Sequence, residues 1–157
     1  MTMANTYSKI LLHFVLAVKR RRRLISDSIK EGIEPYICNI VKHEKCLVIA
    51  IYCNPDHTHI LVRMSPDKSP SDLMRVVKSE STKFINKKFF PTNHFSWQIG
   101  FATFSLRENE SHIVRKYILN QKEHHSKKSF KAEYVGFLKE NEIEYDDKYL
   151  FDFDDEK

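Results

Sequence analysis

Apolar and polar positions along this chain form segments that predict strands and helices in turn. An apolar stretch from Ser8 to Val18, rich in β-branched and aromatic residues, predicts a buried strand. Cys46 to Cys53 and Thr58 to Met64 predict two more strands, and the turn residues 54–56 between them predict a β-hairpin. A fourth strand is predicted from Trp97 to Leu106.

The stretches between these strands have apolar residues at helical spacing. One such stretch is Ile25 to Lys42, although Pro35 predicts a break or a kink inside it. Ser69 is the predicted N-cap of a helix that runs to about Lys88. Two further helices are predicted from Ser111 to about His125 and from Phe130 to Asn141. The order of elements predicts an α+β fold of the ferredoxin-like, RRM-like kind, with helices on one face of an antiparallel sheet.

Size and composition indicate a single globular domain at 1–150, followed by an acidic C-terminal tail at 151–157. The formal net charge of +5 and the pI of about 9.0 favour a polyanionic partner. Three cysteines without CxxC spacing are expected to be free thiols in a reducing cytoplasm. No signal peptide is recognised, and the apolar run near the N-terminus is too short to span a membrane. Three glycines in all exclude a Gly-rich phosphate loop.

His57-Thr58-His59 is the first candidate for chemistry. Residues i and i+2 of a strand point to the same face, so the two imidazoles can hold one metal ion, while Thr58 should face the core. A lone His-x-His on a strand is more often structural than metal-binding. Further residues are therefore needed to decide between the two interpretations.

Tyr117 and Gln121 lie at i and i+4 and share one face of a predicted helix. The Gln121 amide oxygen is a candidate third metal ligand. A tyrosine is a poor nucleophile on its own, and a metal ion assists it by polarising the phosphoryl group under attack. His124 and His125 could join such a site but fit an exposed helix end better. His13 could lie beside the histidine pair, although a core histidine is the simpler interpretation.

Basic residues form two candidate phosphate-binding surfaces, the first of which could equally be a solvated loop. The first is the run Lys19, Arg20, Arg21, Arg22 and Arg23, and the second comprises Arg75, Lys78, Lys83, Lys87 and Lys88. Trp97 is expected in the core, with stacking on an unpaired base as the alternative.

Three segments together resemble the single-tyrosine HUH transposases of bacterial insertion sequences. They are residues 54–62, 95–100 and 117–125. The resemblance implies that His57, His59 and Gln121 bind a divalent metal, Mg²⁺ or Mn²⁺. It also implies that Tyr117 attacks a DNA phosphodiester to form a 5′-phosphotyrosine and a free 3′-hydroxyl. The implied partners are single-stranded DNA hairpins at element ends and a second copy of the chain, in a homodimer where Tyr117 can act in trans. The donor atoms alone would also suit zinc or nickel.

Three alternatives remain open on the sequence. The first is a domesticated relative that nicks chromosomal repeat hairpins with the same residues. The second is a non-catalytic single-stranded nucleic-acid-binding module on the same fold. The third is a zinc-dependent hydrolase, which needs an additional acid or base that is not apparent near the motif.

Overall fold

A four-stranded antiparallel sheet organises the chain in this computed structural model, which describes residues 6–92 and 94–150. The strands are β1 (Ile10–Ala17), β2 (Leu47–Cys53), β3 (His57–Met64) and β4 (Ala102–Leu106). They lie in the order β2-β3-β1-β4, and each neighbouring pair is antiparallel. This topology confirms the predicted α+β, ferredoxin-like class, and it makes the motif-bearing β3 one of the two central strands of the sheet.

Five α-helices accompany the sheet in the described part of the chain. They are α1 (Asp27–His43), α2 (Pro70–Phe89), α3 (Ser111–Leu119), α4 (Gln121–His125) and α5 (Phe130–Glu140). The Ser69 hydroxyl accepts a hydrogen bond from the Asp72 amide at 3.1 Å, which confirms the predicted N-cap of α2.

The helices cover both faces of the sheet, whereas the sequence predicted helices on one face. Phe14 and Leu16 of β1 belong to the core formed with α1 and α2. The alternate residues Val15 and Ala17 pack on the other side, in a cluster with Phe130 and other side chains of α5. Because β1 is apolar on both sides, each side needs a cover. The α3–α5 layer provides the second cover, and the candidate site lies beneath it.

Three elements differ from the prediction by more than one or two residues at an end. A break or a kink was predicted at Pro35, and the break is wrong because helix α1 continues through this residue. Burial of apolar residues on either side of Pro35 outweighs its missing hydrogen bond. The predicted helix from 111 to 125 is interrupted at Asn120, whose φ of −102° and ψ of 22° leave the helical region. Strand β4 begins at Ala102, because Gly100 with φ +87° separates it from Trp97.

Other predictions from the sequence are settled as follows. Trp97 is a core residue, 7 % exposed, and its indole N–H donates to the Ser81 hydroxyl at 2.9 Å. Cys38, Cys46 and Cys53 are free thiols, as expected. No helix within residues 6–92 and 94–150 has the length and apolar character needed to cross a membrane. The predicted acidic tail at 151–157 lies outside the described residues.

Candidate active site

Strand β3 presents both histidines of the motif to the α3–α5 layer. His57 is 2 % exposed and His59 is fully buried. Thr58 between them is also fully buried, and it pairs with Cys53 across the β2–β3 ladder. The alternation of a strand thus places two imidazoles side by side and turns the threonine toward the opposite core, as predicted.

Asp56 and Arg21 orient the His57 ring. The Asp56 carboxylate lies 2.7 Å from His57 Nδ1, and it accepts two hydrogen bonds from the Arg21 guanidinium at 3.1 and 3.0 Å. Burial alone would raise the pKa of Asp56, but the hydrogen bond and charge of His57, followed by those of Arg21, hold it below its usual value. The ionised carboxylate therefore keeps a proton on Nδ1, which leaves Nε2 facing the interior of the site.

His59 is held in a similar way by His13. His13 Nε2 lies 2.8 Å from His59 Nδ1, and the two rings stack with their centroids 5.1 Å apart. Burial and then the charge of His59 lower the pKa of His13 to about 3, so His13 is neutral at neutral pH. Both interpretations of His13 from the sequence hold, since it is a core histidine that also contacts the motif.

Glu133 of α5 lies at the centre of the site. One carboxylate oxygen, Oε1, is 2.9 Å from His59 Nε2 and 3.6 Å from His57 Nε2. The other oxygen, Oε2, is 3.2 Å from His125 Nε2 and accepts a hydrogen bond from the Tyr117 hydroxyl. Burial would raise the pKa of Glu133, but hydrogen bonds from the three histidines outweigh it and keep the group ionised.

Glu133 was missed in the sequence, although a signal for it exists. It occupies the buried face of α5 together with Phe130, Tyr134 and Leu138. An acidic residue in the middle of an apolar helix face requires a partner, and this is the pattern that marks it.

His125 also joins the site, and the expectation of an exposed helix end was wrong. Its Nδ1 lies 2.9 Å from the Lys128 carbonyl oxygen, and its Nε2 lies 3.1 Å from His57 Nε2. Burial lowers the pKa of His125, but the hydrogen bond and charge of Glu133 raise it to a net value above the usual one. One ligand atom from each of His57, His59, His125 and Glu133 lies within 4.8 Å of the others, which is a group that could hold a metal ion.

Gln121, the predicted third ligand, lies beside this group. Its side chain is fully buried, and its Oε1 is 2.8 Å from His125 Nε2 and accepts from Asn54 Nδ2 at 3.2 Å. The amide oxygen therefore faces the histidines, which is the orientation that a ligand requires. Its role as a ligand stays a prediction.

Tyr117 reaches the same cluster from within the same chain. Its hydroxyl contacts Glu133 and lies 3.1 Å from His124 Nε2. Burial and then the charge of Glu133 raise the pKa of Tyr117, so the phenol is neutral at rest. A cavity of about 660 Å³ opens on this side, and its lining includes Tyr117, Lys116 and Lys127.

The predicted phosphate contacts fall into two groups, those engaged in contacts within the protein and those exposed to solvent. Arg21 is only 8 % exposed at its side chain and is bound to Asp56, so its geometry favours positioning His57 over contacting DNA. Lys78 is half-buried and donates to the Gln98 carbonyl oxygen at 2.9 Å and to that of Gly100. The exposed members are Lys19, Arg20, Arg22, Arg23, Arg75, Lys83, Lys87 and Lys88.

Comparison with known proteins identifies the class. The fold is that of a DNA transposase, since residues 6–121 match the family described as "Transposase IS200 like", to which the chain belongs. The resemblance to single-tyrosine HUH transposases is thereby confirmed.

Individual relatives agree with this family. The chain is 22 % identical over 116 residues to the ISDra2 transposase TnpA of Deinococcus radiodurans, a match covering 69 % of this chain and 81 % of that protein. A solved structure of a D. radiodurans protein assigned as a transposase superimposes with a TM-score of 0.63 at 20 % identity, over 77 % of this chain and 97 % of that one. A REP-associated tyrosine transposase bound to a REP hairpin gives 0.59 at 19 % identity, over 80 % and 74 %. Both structural likenesses show the shared fold.

Proposed function

We propose that this transposase cleaves and rejoins single-stranded DNA through a covalent bond to Tyr117. The observation that carries the proposal is the position of the Tyr117 hydroxyl, which shares the Glu133 carboxylate with the histidine pair of the same chain. A nucleophile and a group of metal-binding atoms within one buried cluster are the two parts that phosphoryl transfer by a tyrosine requires.

The donor atoms fit a divalent metal ion. Imidazole nitrogens, a carboxylate and an amide oxygen converge in a buried site, and neighbouring donors lie 2.8 to 3.6 Å apart. Ligands around an ion with bonds of about 2.1 Å are separated by about 3 Å, so the spacing is suitable. His57 and His59 would hold the ion, with Gln121 as the third ligand implied by the family. When bound, a divalent ion polarises the phosphoryl oxygens and offsets their negative charge. Mg²⁺ or Mn²⁺ is the proposed cofactor.

The residues of the chain then perform the transfer. The Tyr117 oxygen bonds to phosphorus, the bond from phosphorus to the 3′-oxygen breaks, and the DNA 5′-phosphate remains on the tyrosine. The Tyr117 proton passes to Oε2 of Glu133, which already accepts it as a hydrogen bond. The departing 3′-oxygen takes up a proton and becomes a free hydroxyl. Attack by a 3′-hydroxyl reverses these steps and rejoins the strand without an external energy source.

The proposed substrate is a single-stranded DNA hairpin at the end of a mobile element. The positive side chains beside Tyr117, Lys116 and Lys127, suit a phosphate backbone. Action on chromosomal DNA in the cytoplasm follows from this substrate. A homodimer with Tyr117 acting in trans stays a prediction; the arrangement described here has Tyr117 and both histidines in one chain.

The test is a covalent adduct assay with single-stranded element ends labelled at either terminus, in Mn²⁺ or Mg²⁺. A 5′-phosphotyrosine should transfer the 3′-labelled fragment to the protein and release the 5′-labelled fragment with a free hydroxyl. Tyr117→Phe should abolish the adduct, whereas Tyr145→Phe, at an exposed tyrosine, should leave it unchanged. An adduct that survives Tyr117→Phe would contradict the assignment. The absence of any adduct, together with salt-sensitive binding that needs no metal, would favour the non-catalytic module.

The second candidate is a domesticated relative that nicks repeat hairpins. The structural likeness to the REP-associated tyrosine transposase favours it. Both functions use the same residues, so the substrate distinguishes them. Cleavage of dispersed chromosomal repeat hairpins in preference to the ends flanking this gene would support the second candidate.

A further inference from the structure

Glu133 contacts both halves of the proposed site, yet it lies outside the segment that the family match covers. That match ends at residue 121, whereas Glu133 and its neighbour His125 follow it. The family therefore assigns neither residue. Their role has to be inferred from their contacts.

Each of the three histidines around Glu133 is anchored through Nδ1 and presents Nε2 to the cluster. The Nδ1 anchors are the Asp56 carboxylate for His57, His13 for His59 and the Lys128 carbonyl for His125. An outer partner on one ring nitrogen, with the other nitrogen directed inward, is the arrangement of metal-binding histidines. A simple ion pair would require only one histidine near the carboxylate.

Of the two ions proposed above, Mn²⁺ suits these four side chains better than Mg²⁺ does. Mg²⁺ prefers oxygen ligands and retains several waters, whereas three imidazoles with one carboxylate suit a divalent transition ion. His57, His59 and Glu133 are each at most 3 % exposed, so little water competes for the ion. The His125 side chain is 17 % exposed and marks the side from which an ion can enter.

We propose that Glu133 and His125 complete a four-ligand site with His57 and His59 for a divalent transition ion such as Mn²⁺ or Zn²⁺, and that Glu133 also positions Tyr117. Oε1 faces the histidine pair, and Oε2 holds the tyrosine hydroxyl. One carboxylate thus sets the distance between the ion and the nucleophile. The positioning role rests on the proposed function, whereas the metal site does not.

The experiment is a titration of the DNA-free protein with Mn²⁺ and with Zn²⁺, followed by calorimetry. Glu133→Gln should weaken binding of the ion by at least about tenfold. Glu31→Gln, at an exposed glutamate on the opposite layer of helices, should change it less than about twofold. Glu133→Asp, which keeps the charge, should recover part of the affinity. Wild-type affinity in a folded Glu133→Gln protein would overturn the proposal.

A second measurement needs no substitution and covers the case in which Glu133→Gln fails to fold. Crystals of the wild-type protein soaked in Mn²⁺ should give an anomalous peak within about 2.5 Å of the Glu133 carboxylate. A peak bound to the histidine pair and Gln121 but distant from Glu133 would overturn the proposal. Neither measurement uses DNA, so a failure of the Tyr117 adduct assay remains separate from a failure of this metal site.

Discussion

Asp56→Asn should destabilise the protein strongly because Asp56 is the buried link between Arg21 and His57. The side chains of Asp56 and Arg21 are 6 % and 8 % exposed, and the carboxylate bonds both partners at 2.7 to 3.1 Å. An asparagine can still accept from His57 Nδ1, but its NH₂ group would then face the Arg21 guanidinium, donor against donor. Breaking a buried ion pair on one side costs about 3–5 kcal/mol.

The measurement is urea unfolding of the metal-free protein at pH 7. A loss of about 3 kcal/mol, with a slope of about 2 kcal/mol/M, moves the midpoint down by about 1.5 M. Asp67→Asn is the control, because Asp67 is exposed and its substitution should cost less than about 0.5 kcal/mol. The affinity for a divalent ion should also fall about 10- to 100-fold, since His57 loses its fixed orientation.

The pH dependence gives a second criterion for Asp56. Its pKa is lower in the folded protein than the unfolded value of about 3.9. Between those two values the unfolded chain binds more protons, so stability rises with pH there and the contribution of Asp56 is lost as the pH falls. The difference in the free energy of unfolding between wild type and Asp56→Asn should therefore narrow below about pH 4. A difference in unfolding free energy under about 1 kcal/mol at pH 7 would refute this account, as would a difference at pH 3 as large as that at pH 7.

Three further predictions concern other parts of the molecule. The pKa of His13 is about 3 in the folded protein against about 6.5 unfolded, so stability should fall as the pH drops from about 6.5 towards 3. In urea unfolding across this pH range, His13→Gln should reduce the dependence of the unfolding free energy on pH. An unchanged dependence would contradict this role of His13. Trp97→Phe should lower the free energy of unfolding by about 1–3 kcal/mol, since it removes the hydrogen bond to Ser81, and should leave the affinity for DNA unchanged. Unchanged stability with a loss of DNA affinity would place Trp97 on the DNA. Lys83→Gln, at a side chain 73 % exposed, should reduce the slope of log affinity against log salt for single-stranded DNA by about 0.7, and an unaltered slope would remove Lys83 from the contact surface.

The sequence predicts the sheet well because strand alternation is a local property. The period of two in His57-Thr58-His59 is enough to place both imidazoles on one face and the threonine on the other. Glu133 could not be assigned in the same way, because its partners lie on β3 and α3, far away in the chain. The break at Asn120 is also hidden from the sequence. A single asparagine lowers helix propensity too little to predict a break, and the segment after it keeps helical spacing.

Because α5 covers one face of the sheet, it limits how far the chain can be shortened. A chain shortened to residue 121, the limit of the family match, would retain the histidine pair, Tyr117 and Gln121. It would also uncover Val15 and Ala17 of the central strand, which α5 shields from water. The minimal folding unit of this transposase therefore extends beyond the segment by which its family is recognised, and versions shortened to residue 121 should aggregate before they can be assayed.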